Sequence, residues 1–175
     1  MTESYIKTLS TSSKLFLELA KTESDAKKRK AFVLSAMINS WVLLEAYTNY
    51  LSEILSKAKI ELHEKALLKD KELKLNDLGQ FIEIRSHSPT LKRALFVLQR
   101  FSASFDIDEF KKSEMWINIQ QCERTRNDLI HPKTITKDYL EHQITIAKAK
   151  KFRENVDLFI KFIGKKTLGK EIFLD

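Results

Sequence analysis

The sequence VLSAMINSWVLLEAYTNYLSEIL, residues 33–55, is the strongest helical pattern of the chain. A line of mostly apolar side chains recurs in it every three or four residues, which is the period of a helix that packs on a core. The line consists of Val33, Met37, Trp41, Leu44, Thr48, Leu51 and Leu55. Asp25 is a favourable N-cap, so we predict a helix over residues 26–59.

A second line on the same helix consists of Ile38, Val42, Glu45 and Asn49. A helix with two such faces either lies at the centre of a bundle or packs against another chain, and both can hold. A carboxylate within this apolar run needs a partner. Glu45 therefore either approaches an arginine or histidine elsewhere in the fold, or faces solvent from an exposed strip.

Outward from this helix, the pattern predicts further helices joined by less regular segments. The predicted helices cover about residues 4–21, 90–102, 113–131 and 136–162. The serine-rich patch at residues 10–13 weakens the first of them. Residues 61–76 indicate a short helix or an ordered excursion, and residues 80–84 fit an extended segment. Residues 104–112 are typical of a connector with buried Phe105 and Phe110.

Composition supports an all-α fold in one domain. The chain has 175 residues, of which 43% are hydrophobic and 31% charged, with only 3 Gly and 2 Pro, so few turns are forced on it. We predict a single domain, residues 1–175, built as a bundle of about five to seven helices with a long central helix. Its core is expected over about residues 26–163, and residues 164–175 are expected to form a basic, loosely held tail.

The charge balance favours a polyanionic partner such as RNA. The formal net charge is +7 and the pI is near 9.4. The alternative is a helical protein whose lysine-rich faces are simply solvated, and this applies above all to the basic runs at residues 27–30 and 148–153. A single cysteine, Cys122, excludes an internal disulfide and fits a reducing compartment.

Other classes of function find no support in the sequence. A Gly-rich phosphate loop, a Gly-x-Ser-x-Gly nucleophile motif and histidines at metal-ligand spacing are not found, so we expect no cofactor and no metal. Residues 85–87, Arg-Ser-His, are typical of a surface turn. With no leader-like N-terminus and with charges breaking the apolar stretches before about 18 residues, we expect no membrane association and a cytoplasmic location.

The helix predicted over residues 113–131 ends in the sequence RNDLIHP, residues 126–132. Pro132 disfavours helical backbone at the residue before it and so ends the helix at His131. Arg126 lies on the apolar line of this helix and must find an anion or acceptors, whereas Asn127 and His131 lie on the neighbouring polar line. On an ideal helix Arg126 and His131 are separated by about 140°. The common structural alternative is that both groups complement the helix dipole.

This segment resembles the Arg-x4–6-His motif of the HEPN superfamily in its commoner form, with a polar residue after Arg126, aliphatic residues before His131, and a proline behind it. Residues 40–47, SWVLLEAY, resemble the long early helix of that family, in which an acidic residue lies among apolar ones. The similarity covers about residues 30–164, although only the short motif is specific.

The resemblance implies a homodimer of helical bundles in which two motif helices meet at one cleft, and a metal-independent endoribonuclease of toxin–antitoxin or antiviral defence systems. It implies that His131 is a general acid or base and that Arg126 stabilises the phosphorane. Asn127 would orient the substrate or the imidazole, with Glu45 in a supporting role.

Two further expectations and two alternatives belong with this interpretation. Arg124 and Lys133 are candidate RNA-binding residues. Lys133 occupies the position where HEPN toxins paired with nucleotidyltransferase antitoxins often carry tyrosine, so a different neutralising mechanism, or none, is expected, with another antitoxin or a defence-system protein as the candidate partner. The first alternative is a non-catalytic HEPN module that binds RNA or a partner protein. The second is a plain helical interaction protein.

Overall fold

The computed structural model describes residues 3–131 and 141–169, and the chain there is mostly helical. This confirms the all-α class, with a small two-stranded sheet added. Its elements are α1 (Glu3–Thr22), α2 (Ala26–Leu55), α3 (Leu62–Leu68), β1 (Lys71–Leu75), β2 (Phe81–Arg85), α4 (Thr90–Phe101), α5 (Ile107–Lys112), α6 (Glu114–Ile130) and α7 (Ile146–Leu168).

Helix α2 is the central element, as its two faces predicted. Asp25 caps it by accepting hydrogen bonds from the backbone N–H groups of Lys27 and Lys28 at 2.8 and 3.0 Å. The helix packs against α1, α3, α4, α6 and α7, so side chains are buried nearly all around it. It ends at Leu55 and not at residue 59, because Ser56 caps it and a turn follows.

Length and composition alone would allow α2 to cross a membrane. The expectation that charges break every apolar stretch is too strict here, since Glu45 is the only charged residue between Ala31 and Thr48. However, 56% of the apolar window is buried inside the protein, as in the core helix of a bundle. The absence of a membrane therefore stays a prediction.

Helix α1 belongs to the core, so the prediction that the core begins near residue 26 is wrong. Ile6, Leu17 and Ala20 are buried against the rest of the bundle. The serine patch does not break the helix, because Ser13 accepts a hydrogen bond from Nε of Arg153 on α7 at 2.8 Å. Polar side chains within α1 thus find partners across the bundle.

Residues 61–76 contain a short helix, α3, followed by strand β1. The prediction of a short helix or an ordered excursion therefore included the helix but not the strand. Strand β1 pairs with β2 in an antiparallel hairpin, with Lys71 opposite Arg85, which confirms the extended segment near residues 80–84. The turn is built by Asn76, whose Oδ1 accepts from the backbone N–H groups of Leu78 and Gln80 at 3.0 and 2.9 Å. Gly79 supplies the left-handed residue, with φ +72°. The hairpin brings Asp70, just before β1, next to Ser88, just after β2.

The connector at residues 104–112 contains helix α5 and an aromatic cluster. Phe110 is buried and stacks on Phe162, with ring centroids 5.1 Å apart, while half-buried Phe105 lies 5.2 Å from Phe110. Trp116 belongs to the same cluster. Ser113 begins α6 as predicted, since its Oγ accepts from the backbone N–H of Trp116 at 3.2 Å. The cluster fixes the start of the motif helix.

The last predicted helix differs at both ends. Residues 141–143 are helical, but Thr145 is extended and caps a new helix, α7, by accepting from the N–H of Lys148 at 3.3 Å. A single helix over residues 136–162 is therefore wrong, and its first residues, 136–140, lie outside the described residues. The predicted loose tail is also wrong as far as Leu168, because Gly164 is buried and α7 continues to Leu168. Residues 170–175 lie outside the described residues.

Candidate active site

Arg126 turns towards α2. Its Nη2 donates to Oε1 of Glu45 at 3.3 Å, and its Nη1 donates to Oδ1 of Asn127 at 3.1 Å. The side chains of Arg126 and Glu45 are 27% and 33% exposed, so the pair is shielded from solvent only in part. The anion that the apolar position of Arg126 requires is thus supplied by the central helix.

Glu45 is held by a second donor. Nε1 of Trp41, a residue that is 2% exposed, donates to the same Oε1 of Glu45 at 2.8 Å. Of the two alternatives for Glu45, the structure adopts the one in which the carboxylate approaches an arginine. Its supporting role in chemistry stays a prediction.

These residues line a polar cavity of about 390 Å³ between α2, α4, α6 and the segments that flank the hairpin. Larger clefts of about 560 and 510 Å³ lie between α6 and α7 and along α1. We favour the smaller cavity as the site because its walls carry buried or half-buried charges. It is lined by Trp41, Glu45, Asn49, Asp70, His87, Pro89, Thr90, Arg93, Glu123, Arg126 and Asn127.

A second ion pair also lines the cavity. Arg93 is 3% exposed, and its Nη1 donates to Oδ2 of Asp70 at 3.0 Å. Asp70 has φ +53°, a left-handed conformation that Asp tolerates better than most residues, and its Oδ1 accepts from the backbone N–H of Ser88 at 3.3 Å. The backbone carbonyl of Asp70 also accepts from the N–H of Ser86. The ends of the hairpin thereby anchor Arg93.

Glu123 adds a third carboxylate to the cavity. Burial raises the pKa of Glu123 above its usual range, and the nearby positive charges of Arg126 and Arg124 offset this only in part. Two arginines and three carboxylates therefore share the walls of this small space.

His131 is placed differently. It is the C-cap of α6, with φ −123° and ψ 65°, and its backbone N–H donates to the carbonyl of Asn127 at 2.8 Å. Its side chain is exposed, and His131 is not among the described residues that line the cavity. The structure thus brings together Arg126, Asn127 and Glu45, but it does not bring His131 to them within one chain.

Of the two candidate RNA-binding residues, Arg124 and Lys133, the structure describes only Arg124. Arg124 is exposed on α6, where a phosphate could reach it. Lys133 lies outside the described residues, as does Pro132. Of the basic runs, Arg153 is held by Ser13 and by Asp157 at 3.0 Å and is only 13% exposed, so its role is structural.

Sequence reasoning missed four titratable residues of the cavity: Asp70, His87, Arg93 and Glu123. The sequence placed His87 in a surface turn. His87 is indeed exposed, but it also lines the cavity, which the sequence did not predict. Arg93 lies one helical turn before buried Val97 on α4, so a charge on an apolar line was the available signal. Within residues 3–131 and 141–169, no cluster of three or more His, Cys, Asp or Glu is placed to hold a metal ion.

Comparison of the chain with protein-family models, with curated proteins and with solved structures gives no match. The resemblance to the HEPN superfamily consequently depends on the sequence alone.

Proposed function

We propose that this protein is a metal-independent endoribonuclease of the HEPN type, acting as a toxin or a phage-defence effector in the cytoplasm. The observation that carries the proposal is the fixed position of Arg126, held by Glu45 at the wall of a polar cavity, on the helix that ends at His131. The basic charge of the chain supports RNA as the substrate.

In this proposal the 2′-hydroxyl of the RNA attacks the adjacent phosphorus and the bond to the 5′-oxygen breaks. His131 moves the proton, as base for the 2′-hydroxyl or as acid for the leaving 5′-oxygen. Arg126 neutralises the charge that develops on the phosphorane. Asn127, whose Oδ1 accepts a hydrogen bond from Arg126, orients the substrate. The product carries a 2′,3′-cyclic phosphate and needs no metal.

A homodimer would reconcile this chemistry with the divergent directions of Arg126 and His131. Ile117, Gln121, Arg124 and His131 follow one exposed face of α6 at helical spacing, whereas Arg126 points to the opposite side. We propose that this face packs against a second copy, so that His131 of one copy reaches Arg126 of the other.

Mixing two inactive variants tests the composite site. If each site combines Arg126 and His131 from different copies, an equal mixture of Arg126→Ala and His131→Ala chains should regain roughly a quarter of the wild-type rate, because half of the dimers carry one intact site out of two. A mixture no more active than its components, under conditions where the chains exchange, contradicts a shared site.

A matched pair of substitutions tests the role of Arg126. Arg126→Ala should lower kcat on single-stranded RNA by about 100- to 1000-fold, the usual effect of removing one preorganised transition-state donor. Lys112→Ala also removes one positive charge, but from an exposed position at the end of α5, outside the cavity and off the face of α6 that carries His131, so it should leave kcat nearly unchanged. Equal kcat for the two variants would refute the assignment.

The alternative of a non-catalytic HEPN module has one observation in its favour, namely that His131 does not line the cavity of its own chain. It predicts a folded dimer that binds RNA or a protein partner and cleaves no RNA at any pH, with or without chelator.

A further inference from the structure

Two residues that line the cavity beside Arg126 carry a buried donor and a buried acceptor that no described residue satisfies. Nε of Arg93 and Oδ1 of Asn49 each lack a hydrogen-bond partner, and both residues line this cavity. Buried polar groups in proteins are nearly always bonded, so such atoms point to a ligand or a bound water. A single ligand that meets both atoms must accept a hydrogen bond from Nε of Arg93 and donate one to Oδ1 of Asn49.

The charges of the lining disfavour a phosphate beside the buried Arg93, while the more exposed Arg126 remains able to meet the scissile phosphate. Glu45, Asp70 and Glu123 outnumber Arg93 and Arg126, so the cavity is net negative when His87 is neutral. A phosphate would gain from two guanidinium groups but would face three carboxylates. A neutral ligand with both kinds of hydrogen-bonding group suits these walls better.

Guanine fits this description among the bases of RNA. We infer that the cavity binds the guanine base of a nucleotide, with Glu123 and Asn49 accepting from its N1–H and N2–H groups and Arg93 donating to its O6 and N7. Guanine alone presents two adjacent N–H donors on its Watson–Crick edge, and arginine pairs with O6 and N7 of guanine in a bidentate manner. The volume of about 390 Å³ lies within the range of roughly 300–1000 Å³ for small-molecule sites.

The other carboxylates of the cavity are already engaged, which leaves Glu123 for the base. Glu45 accepts from Trp41 and Arg126, and Asp70 accepts from Arg93 and from the backbone of Ser88. A base held here would place its own nucleotide next to Arg126. This inference rests on the proposed function only for its consequence, which is that RNA is cut beside a guanosine.

Calorimetric titration with nucleoside 5′-monophosphates tests the pocket without any cleavage. GMP should bind the wild-type chain at least ten-fold more tightly than AMP, CMP, UMP or inorganic phosphate. IMP, which lacks the N2 amino group, should also bind roughly ten-fold more weakly than GMP, and this comparison requires no variant. Equal affinities for all four bases, or heat changes explained by phosphate alone, overturn the inference.

A matched pair of variants on α6 locates the contact. Glu123→Gln should weaken GMP binding about ten-fold or more, while Glu114→Gln, which changes a carboxylate in the first turn of the same helix and outside the cavity, should leave it unchanged. Unaltered GMP affinity in a folded Glu123→Gln protein contradicts the proposed contact.

The two proposals fail separately. GMP binding together with RNA cleavage that is indifferent to His131→Ala would remove the endoribonuclease mechanism and leave the pocket. Cleavage that depends on His131 but shows no preference for guanosine, with no GMP binding, would remove the pocket and leave the mechanism.

Discussion

Glu45→Gln tests whether the central helix positions Arg126. The substitution keeps the size of the side chain and one carbonyl oxygen that can still accept from Trp41, but it removes the charge that holds the guanidinium. We expect kcat for RNA cleavage to fall about ten-fold, equivalent to about 1.4 kcal/mol, because Arg126 then samples several orientations. KM should not rise, since removing a carboxylate makes the cavity less negative.

The same change should cost little stability. Hydrogen bonds to charged groups contribute about 1.5–3 kcal/mol when they are well formed, but the Arg126–Glu45 contact is 3.3 Å long and the Glu45 side chain is 33% exposed. We therefore expect a loss of about 1 kcal/mol, or about 3 °C in Tm for a chain of this length. A loss of about 1 kcal/mol leaves nearly all of the protein folded, so it cannot by itself lower kcat ten-fold. A ten-fold fall in kcat would therefore show that Glu45 positions Arg126.

Thermal unfolding and single-turnover cleavage give the two readouts. Glu18→Gln is the control, because the Glu18–Lys21 contact is shorter, at 2.7 Å, but its side chains are 67% and 50% exposed, so the change should cost under about 0.5 kcal/mol. In the Arg126→Ala background, Glu45→Gln should have no further effect on kcat. Full activity of Glu45→Gln, or additive losses in the double variant, would refute the positioning role.

Two further predictions concern the core. Burial raises the pKa of Tyr47 above its ordinary value, and its hydroxyl has no partner among the described residues. As the pH rises, the unfolded chain therefore loses the Tyr47 proton before the folded chain does, so the wild type should lose up to about 1.4 kcal/mol of stability per pH unit above pH 10. Tyr47→Phe should reduce that loss when unfolding by urea is measured at increasing pH. Parallel curves of stability against pH for the two proteins would contradict this prediction. Burial also raises the pKa of Cys122 to about 12, so iodoacetamide should label the native thiol far more slowly than the urea-unfolded one, and equal rates would show that the thiol is accessible.

The predictable parts of the fold were those set by local pattern. The spacing of apolar residues in α2 and the capping by Asp25 and Ser113 act within a few residues, so the sequence predicts them well. The break at Thr145 was missed because the apolar line on both sides of it continues at helical spacing. The extension of α7 past Gly164 was missed because its cause is tertiary packing of that glycine.

The candidate site divides in the same way. Arg126, Asn127 and Glu45 could be proposed from a motif and from a charge within an apolar run, and the structure brings these three together. Arg93, Asp70 and His87 come together at the cavity because the hairpin brings its two ends side by side, where Asp70 bonds to Ser88 and Arg93, a long-range arrangement that no local pattern encodes. The position of His131 relative to Arg126 depends on a second chain in our proposal, and one sequence does not specify it.

The most direct test of the endoribonuclease proposal is to incubate total RNA with wild-type and His131→Ala protein in EDTA and to map the product ends. The proposal predicts 2′,3′-cyclic phosphate ends with the wild type and a near-complete loss of cleavage with the variant. Intact RNA with the wild type, or equal cleavage by both proteins, would contradict it.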